Sequence, residues 1–115
     1  PETLKRLAAL LDELKRPREA MEILSRLNYI YPSDEELHRR LGDLRLAAGD
    51  AEGAIREFRA QIAMGPLDQA ASHFSLARAY RMAEKREEAK EQVLLALEAA
   101  PGYRPAQKML LELSQ

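Results

Sequence analysis

Residues recurring at steps of 34 or 35 predict an all-α chain of tandem helix pairs, seven helices in all. Proline falls at Pro32, Pro66 and Pro101, alanine at Ala20, Ala54 and Ala89, and leucine at Leu7, Leu41, Leu76 and Leu110. Several independent positions sharing one register mark an internal repeat of stacked supersecondary units. Within each period, apolar residues recur at three- and four-residue steps, as an amphipathic helix requires, and no segment alternates with period two as a half-buried strand would.

The elements follow in order. Residues 2–15 carry the stripe Leu4, Leu7, Ala8, Leu11 and Leu14. Residues 17–31 carry Ala20, Ile23, Leu24 and Leu27, with Pro17 in the first turn, where its missing N–H costs nothing. Residues 34–48 carry Leu37, Leu41, Leu44 and Ala48, with Ser33 and Asp34 placed to cap them. Gly49 suits the left-handed end of that helix, and Asp50 the N-cap of the next, over 51–64, which carries Ala54, Ile55, Phe58 and Ile62. Residues 68–83 place Phe74 beside Leu76, Ala77, Tyr80 and Ala83, and residues 86–99 carry Ala89, Val93, Ala96 and Leu97. Pro32, Pro66 and Pro101 each end a second helix.

This gives one domain over residues 1–115, with repeats at about 1–34, 35–69 and 70–103. A helix pair cannot bury its apolar face alone, so neighbours stack and the last pair needs a cover. Residues 104–114, with Pro105 in the first turn and Ala106, Leu110 and Leu113 on one side, form that capping helix, or else the first half of a truncated fourth repeat. Lys108, Glu112 and Gln115 face water in this reading. The chain begins at Pro1 rather than Met, which suggests a section of a longer protein.

Composition narrows the function. The 18 basic and 19 acidic residues leave a net charge of −1, so no global field favours nucleic acid or an anionic membrane. The absence of cysteine excludes a disulfide scaffold, a thiol nucleophile and a cysteine zinc site. No apolar run approaches the roughly 18 residues that a membrane span needs. No glycine-rich loop is present to cradle a phosphate, and no serine has His and Asp company in register. His38 and His73 fall at equivalent places 35 residues apart. Partial burial explains them better than a metal pair, which would need further ligands close by. Acidic pairs such as Glu35–Glu36 and Glu87–Glu88 read as complements to helix dipoles. The expectation is a non-enzymatic chain without cofactor or metal.

The register resembles that of the tetratricopeptide repeat (TPR). That family's unit runs large residue, Leu, Gly or Ala, Tyr, Ala, aromatic, Ala and Pro. The first unit has Leu4, Leu7, Ala8, Leu11, Ala20, Leu24, Leu27 and Pro32. The second has His38, Leu41, Gly42, Arg45, Ala54, Phe58, Gln61 and Pro66. The third has His73, Leu76, Ala77, Tyr80, Ala89, Val93, Ala96 and Pro101, and Gln107, Leu110 and Leu111 begin a fourth. Arg45, Gln61 and the lack of tryptophan depart from the pattern, and the departures fall mainly on the second unit. The resemblance covers essentially the whole chain. It implies a right-handed superhelix whose first helices line a concave side that holds an extended peptide or partner helix.

On that side the sequence places Lys5, Arg6, Ala9 and Asp12, then Arg39, Arg40, Asp43 and Leu46, then Phe74, Ser75, Arg78 and Arg81, then Lys108, Met109 and Glu112. Seven basic residues face three acidic ones. Arginine forks suit carboxylates, and a buried aromatic anchors a partner side chain. The reading is a mildly basic peptide groove formed by Lys5, Arg39, Arg40, Asp43, Leu46, Phe74, Arg78, Arg81 and Lys108, with Leu46 and Phe74 as apolar anchors. Its partner is a peptide or protein segment of acidic character; the plainer alternative is a set of solvated helix faces. The carboxylate clamp of chaperone-binding members needs lysines, asparagines and an arginine in set places. Lys5, Ala9, Arg40, Ala71 and Ser75 do not supply them, nor do Arg39, Asp43, Ser75, Pro105 and Met109, so chaperone tails are not the expected partner. A second functional reading is self-association, a homodimer through exposed repeat ends bearing Leu4, Leu7, Leu10, Leu11 and Leu14.

Overall fold

The computed structural model describes residues 17–31 and 34–115. Six helices follow one another: α1 (Pro17–Ile30), α2 (Glu35–Ala47), α3 (Ala51–Ala63), α4 (Gln69–Met82), α5 (Arg86–Ala99) and α6 (Arg104–Leu113). Among the described residues there is no strand. The helix expected over residues 2–15 lies outside the described residues, so six of the seven expected helices are seen.

Aspartates open three of these helices. Asp34 accepts from the N–H of Leu37, Asp50 from Gly53 and Asp68 from Ala71, each satisfying a donor that the first helical turn would leave unpaired. The Asp50 carboxyl is held below its ordinary range, chiefly by the Gly53 N–H and further by the Arg45 guanidinium, against a smaller opposing effect of burial. Two chain reversals share one geometry. After α2, Gly49 takes φ 82° and the Asp50 N–H reaches back to the Arg45 carbonyl at 2.8 Å. After α4, Glu84 takes φ 61° and the Lys85 N–H reaches the Tyr80 carbonyl at 2.9 Å. Both are helix ends closed by a left-handed residue.

Packing runs between neighbours in sequence, α1 on α2, α2 on α3, and so on to α6. The core is accordingly serial. Ala20, Leu24 and Leu27 of α1 meet Leu37, Leu41 and Leu44 of α2. Leu46, Ala54, Ile55 and Phe58 meet Leu76 and Ala79 of α4. Ala77, Ala89, Val93 and Ala96 meet Ala106, Met109 and Leu113 of α6. Each large side chain taken fully from water contributes about 1.5–3 kcal/mol, so every interface in the series holds its own pair of helices. The guanidinium of Arg86 ties α5 to the end of α6 by donating to the carbonyls of Leu113 and Gln115. Leu110 is only half-buried on this interface, and Met109 fills more of it than the leucine stripe suggests.

Candidate functional site

The two residues that depart from the repeat pattern in the second unit are absorbed by a polar network. Arg45 donates to Asp50 at 3.2 Å and its Nε lies 3.8 Å from Glu57. The other Glu57 oxygen sits 2.7 Å from Nδ1 of His38, which is buried. Gln61, 2% exposed, donates to Glu35 at 2.6 Å, while its own Oε1 is buried without a hydrogen-bond partner. His73 repeats the His38 arrangement with Gln92, at 2.8 Å, so both histidines stitch the first helix of a pair to the second. Among the described residues no group of three or more His, Cys, Asp or Glu side chains is placed to hold a metal ion.

Helix α4 is the shared wall of two clefts. The first, about 380 Å³, lies between α2 and α4. Glu35, Arg39 and Asp43 line it from α2, Gln61 from α3, and Asp68, Ala71 and Ser75 from the start of α4. The second, about 560 Å³, lies between α4 and α6. Phe74 and Arg81 line it from α4, and Arg104, Pro105, Lys108, Met109 and Glu112 from α6. At 100° per residue, Ala71 and Ser75 fall on one flank of α4 and Phe74 and Arg81 on the other, with exposed Arg78 on the ridge between them. The two clefts therefore open on one continuous face.

Their electrostatics differ. In the first cleft Glu35, Asp43 and Asp68 outnumber Arg39, whose guanidinium is shared between Asp43 at 3.3 Å and Glu36 at 3.7 Å. In the second, Arg81, Arg104 and Lys108 outnumber Glu112, and Arg81 pairs with that carboxylate at 3.1 Å. Arg104 and Lys108 have no ion pair among the described residues. Phe74 meets Tyr103 edge-to-face, ring centroids 5.7 Å apart, which holds its ring against the α6 side.

The expected site residues distribute as follows. Phe74, Arg81 and Lys108 come together in the second cleft, and Arg39 and Asp43 in the first. Arg40 lines a separate depression along α2 with Arg39 and Asp43. Lys5 lies outside the described residues. Leu46 is corrected: it is 5% exposed and packed with Ala54, Phe58 and Leu76, so it is core and not an anchor for a partner. It stands near the end of α2 where α2, α3 and α4 converge, and an aliphatic side chain there is enclosed. Glu35 and Asp68 join Asp43 in the first cleft and Arg104 joins Arg81 and Lys108 in the second, so the mildly basic character expected of the groove is divided between an acidic cleft and a basic one. Glu35 and Arg104 occupy the first residue of their helices, one turn before Arg39 and Lys108, so the four-residue stripe 35–39–43 and 104–108–112 was the signal available to find them.

No family model matches the chain, and no curated protein matches it either. Solved structures do. The first TPR of Spaghetti (RPAP3), bound to the HSP90 peptide SRMEEVD, superposes with a TM-score of 0.89 at 18% identity, over 98% of this chain and 89% of that one. MamA from Desulfovibrio magneticus RS-1 gives 0.92 at 21% identity, over 98% of this chain but only 63% of that one. YrrB, a TPR protein with an unusual peptide-binding site, gives 0.85 at 23% identity, over 94% of this chain and 55% of that one. With its tandem helix pairs, its left-handed helix ends and these superpositions, the chain has the tetratricopeptide-repeat fold.

Proposed function

We propose that the chain is a non-enzymatic protein-interaction module, three repeats and a capping helix wound in a right-handed superhelix, that holds a peptide or partner segment on the face shared by α2, α4 and α6. The observation that carries this reading is the second cleft, which Phe74 and Met109 line together with Arg81, Arg104 and Lys108. Cationic groups beside apolar side chains suit an acidic segment that also brings an apolar side chain. The peptide bound by the RPAP3 repeat domain and the peptide-binding site of YrrB support the same use of this fold. Chaperone tails remain outside the proposal, since Ala71 and Ser75 stand where a carboxylate clamp needs polar, cationic side chains.

Affinity capture with the wild-type chain and with an Arg104→Glu/Lys108→Glu variant tests it. Both residues are exposed, so the variant keeps its fold, and circular dichroism checks this. Partners retained by the wild type are lost by the variant; capture that is unaltered removes the reading.

A second reading, self-association, is favoured by Leu94 and Leu111, exposed by 55% and 68% on the neighbouring helices α5 and α6. Exposed apolar side chains of this kind can pair with another copy. Sedimentation over a wide concentration range decides it: a strict monomer at the highest concentration removes this reading.

A further inference from the structure

We propose that the groove between α5 and α6 takes a basic amphipathic α-helix from a partner protein, with alanine or glycine where that helix crosses Leu111. The groove is separate from the two clefts of the peptide face, and the proposal does not rest on the peptide-binding reading.

The repeat register tells which flank of a first helix receives the second. In α2 that flank is His38, Gly42 and Arg45. His38 meets Glu57 of α3, Gly42 lies beneath Phe58 of α3, and Arg45 reaches Asp50 and Glu57. In α4 the same places hold His73, Ala77 and Tyr80, and α5 packs on them, with Gln92 on His73 and with Ala89 and Val93 in one buried cluster with Ala77. In α6 they hold Gln107, Leu111 and Ser114, which share a flank by their four- and three-residue steps. All three are exposed. Gln107 donates back to the Pro101 carbonyl, and the Ser114 hydroxyl to the Leu110 carbonyl. A flank that a helix covers in two successive pairs, and that is bare in α6, fits a helix as its occupant.

Two further features define that helix. The first is charge. Glu87, Glu88 and Glu91 line the groove with Lys90, Leu94 and Leu110, around a space of about 490 Å³, and these carboxylates make no ion pair among the described residues. Arg86, bonded to the carbonyls of Leu113 and Gln115, sets the start of α5 beside the end of α6, so the negative end of the α6 dipole adds to the carboxylates. Lysine or arginine on an incoming helix complements both. The same face of a second copy does not, because symmetric pairing sets carboxylate against carboxylate. The second feature is size. Gly42 faces Phe58, and Ala77 clusters with Val93, a small residue on the first helix meeting a larger one on the second. Leu111 reverses that order, so a close approach requires the small residue on the incoming helix.

The test is a selection from a displayed library of amphipathic helical peptides about 15 residues long, with the central contact position and the polar positions randomised. The targets are the wild-type chain, Leu111→Ala, Glu87→Gln/Glu91→Gln and Arg81→Glu/Lys108→Glu, each checked for fold by circular dichroism. Wild type enriches helices with Ala or Gly at the contact position and Lys or Arg toward one end. Leu111→Ala shifts the contact preference to larger apolar residues, as in the α4–α5 pair. A wild-type winner binds Glu87→Gln/Glu91→Gln about fivefold more weakly, the effect of two exposed charge pairs. Arg81→Glu/Lys108→Glu, which alters the second cleft, leaves the selection unchanged. Winners lost on that form belong to the peptide face; they overturn this proposal and leave the peptide-binding reading standing. A contact preference that Leu111→Ala does not move, winners without Lys or Arg, or no enrichment on wild type also overturn it. So does a wild-type dimer in sedimentation that Leu111→Glu dissolves, which gives the groove to a second copy.

Discussion

The α2–α3 pair and the α4–α5 pair place the same backbone positions under different chemistry. In the first, Gly42 lies beneath Phe58, so close that an added Cβ would sit 2.5 Å from the ring. In the second, Ala77 and Val93 share the corresponding cluster. The first pair has Arg45 and Gln61 where the second has Tyr80 and Ala96, and it joins its helices through His38–Glu57 where the second uses His73–Gln92. The first turns through Gly49 and Asp50, the second through Glu84 and Lys85. What the two pairs share is a small residue facing a larger one at the close approach, and a hydrogen bond from the first helix to the second. The residue supplying each part is exchangeable provided that its partner changes with it.

The largest expected effect breaks the volume pairing. Phe58→Ala is expected to lose about 3–5 kcal/mol, because a ring removed from a closed site leaves a cavity. Val93→Ala removes fewer atoms and is expected to lose less. Gly42→Ala alone is expected to lose about 1–3 kcal/mol through overpacking against the ring. The double variant Gly42→Ala/Phe58→Val imports the other pair's solution, and urea unfolding should show it recovering part of the summed loss of the two single changes. Strict additivity would mean that the two sites are not coupled and would refute the pairing.

The next effect separates the two helix starts. Asp50→Ala is expected to lose about 1 kcal/mol, as removal of an aspartate cap does, whereas Lys85→Ala is expected to lose little because Lys85 makes no capping hydrogen bond. The Asp50 carboxyl titrates lower in the folded chain than in the unfolded one. Its ionic contribution is therefore complete above the ordinary carboxylate value of about 3.9 and is lost as pH falls through the lowered folded value. Asp50→Asn keeps a capping oxygen without the charge. Its stability deficit at pH 7, measured by urea unfolding, should shrink toward pH 2.5. A deficit that stays constant over that range would show that charge plays no part.

Most of the helix pattern could be read from spacing alone, because an amphipathic stripe needs only the identities of residues three and four apart. The capping aspartates and the left-handed Gly49 were legible for the same reason: each acts over a single turn. The balance of charge in the clefts was not. Glu35 and Gln61 are 26 residues apart in sequence and meet at 2.6 Å only because α3 folds back on α2. Leu46 looked like a groove residue because it keeps the phase of Arg39 along α2, and phase alone does not tell how far along a helix the neighbouring helices close in. Arg45 and Gln61 looked like defects of the repeat when each was read alone. Their partners Asp50, Glu57 and Glu35 were all in the sequence, but only the pairing of α2 with α3 brings them within reach.

The smallest expected effect concerns the turn after α4. Glu84 adopts φ 61°, a conformation that costs an L-residue with a side chain about 1–2 kcal/mol and glycine almost nothing in steric terms. Gly49 holds the equivalent place after α2 at φ 82°. Glycine gives back part of the gain through the greater freedom of its unfolded chain, roughly 0.5–1 kcal/mol, so Glu84→Gly is expected to stabilise by a net amount on the order of 0.5–1 kcal/mol. Thermal melting should show a rise of a few degrees, and Gly49→Ala a fall of similar size. The space around the Gly49 Cβ position is open, so a loss there reports backbone conformation and not a clash. If Glu84→Gly left the melting temperature unchanged or lowered it, the Glu84 side chain would have to stabilise the turn by as much as its backbone conformation costs, and the two turns would be equivalent in energy as well as in shape.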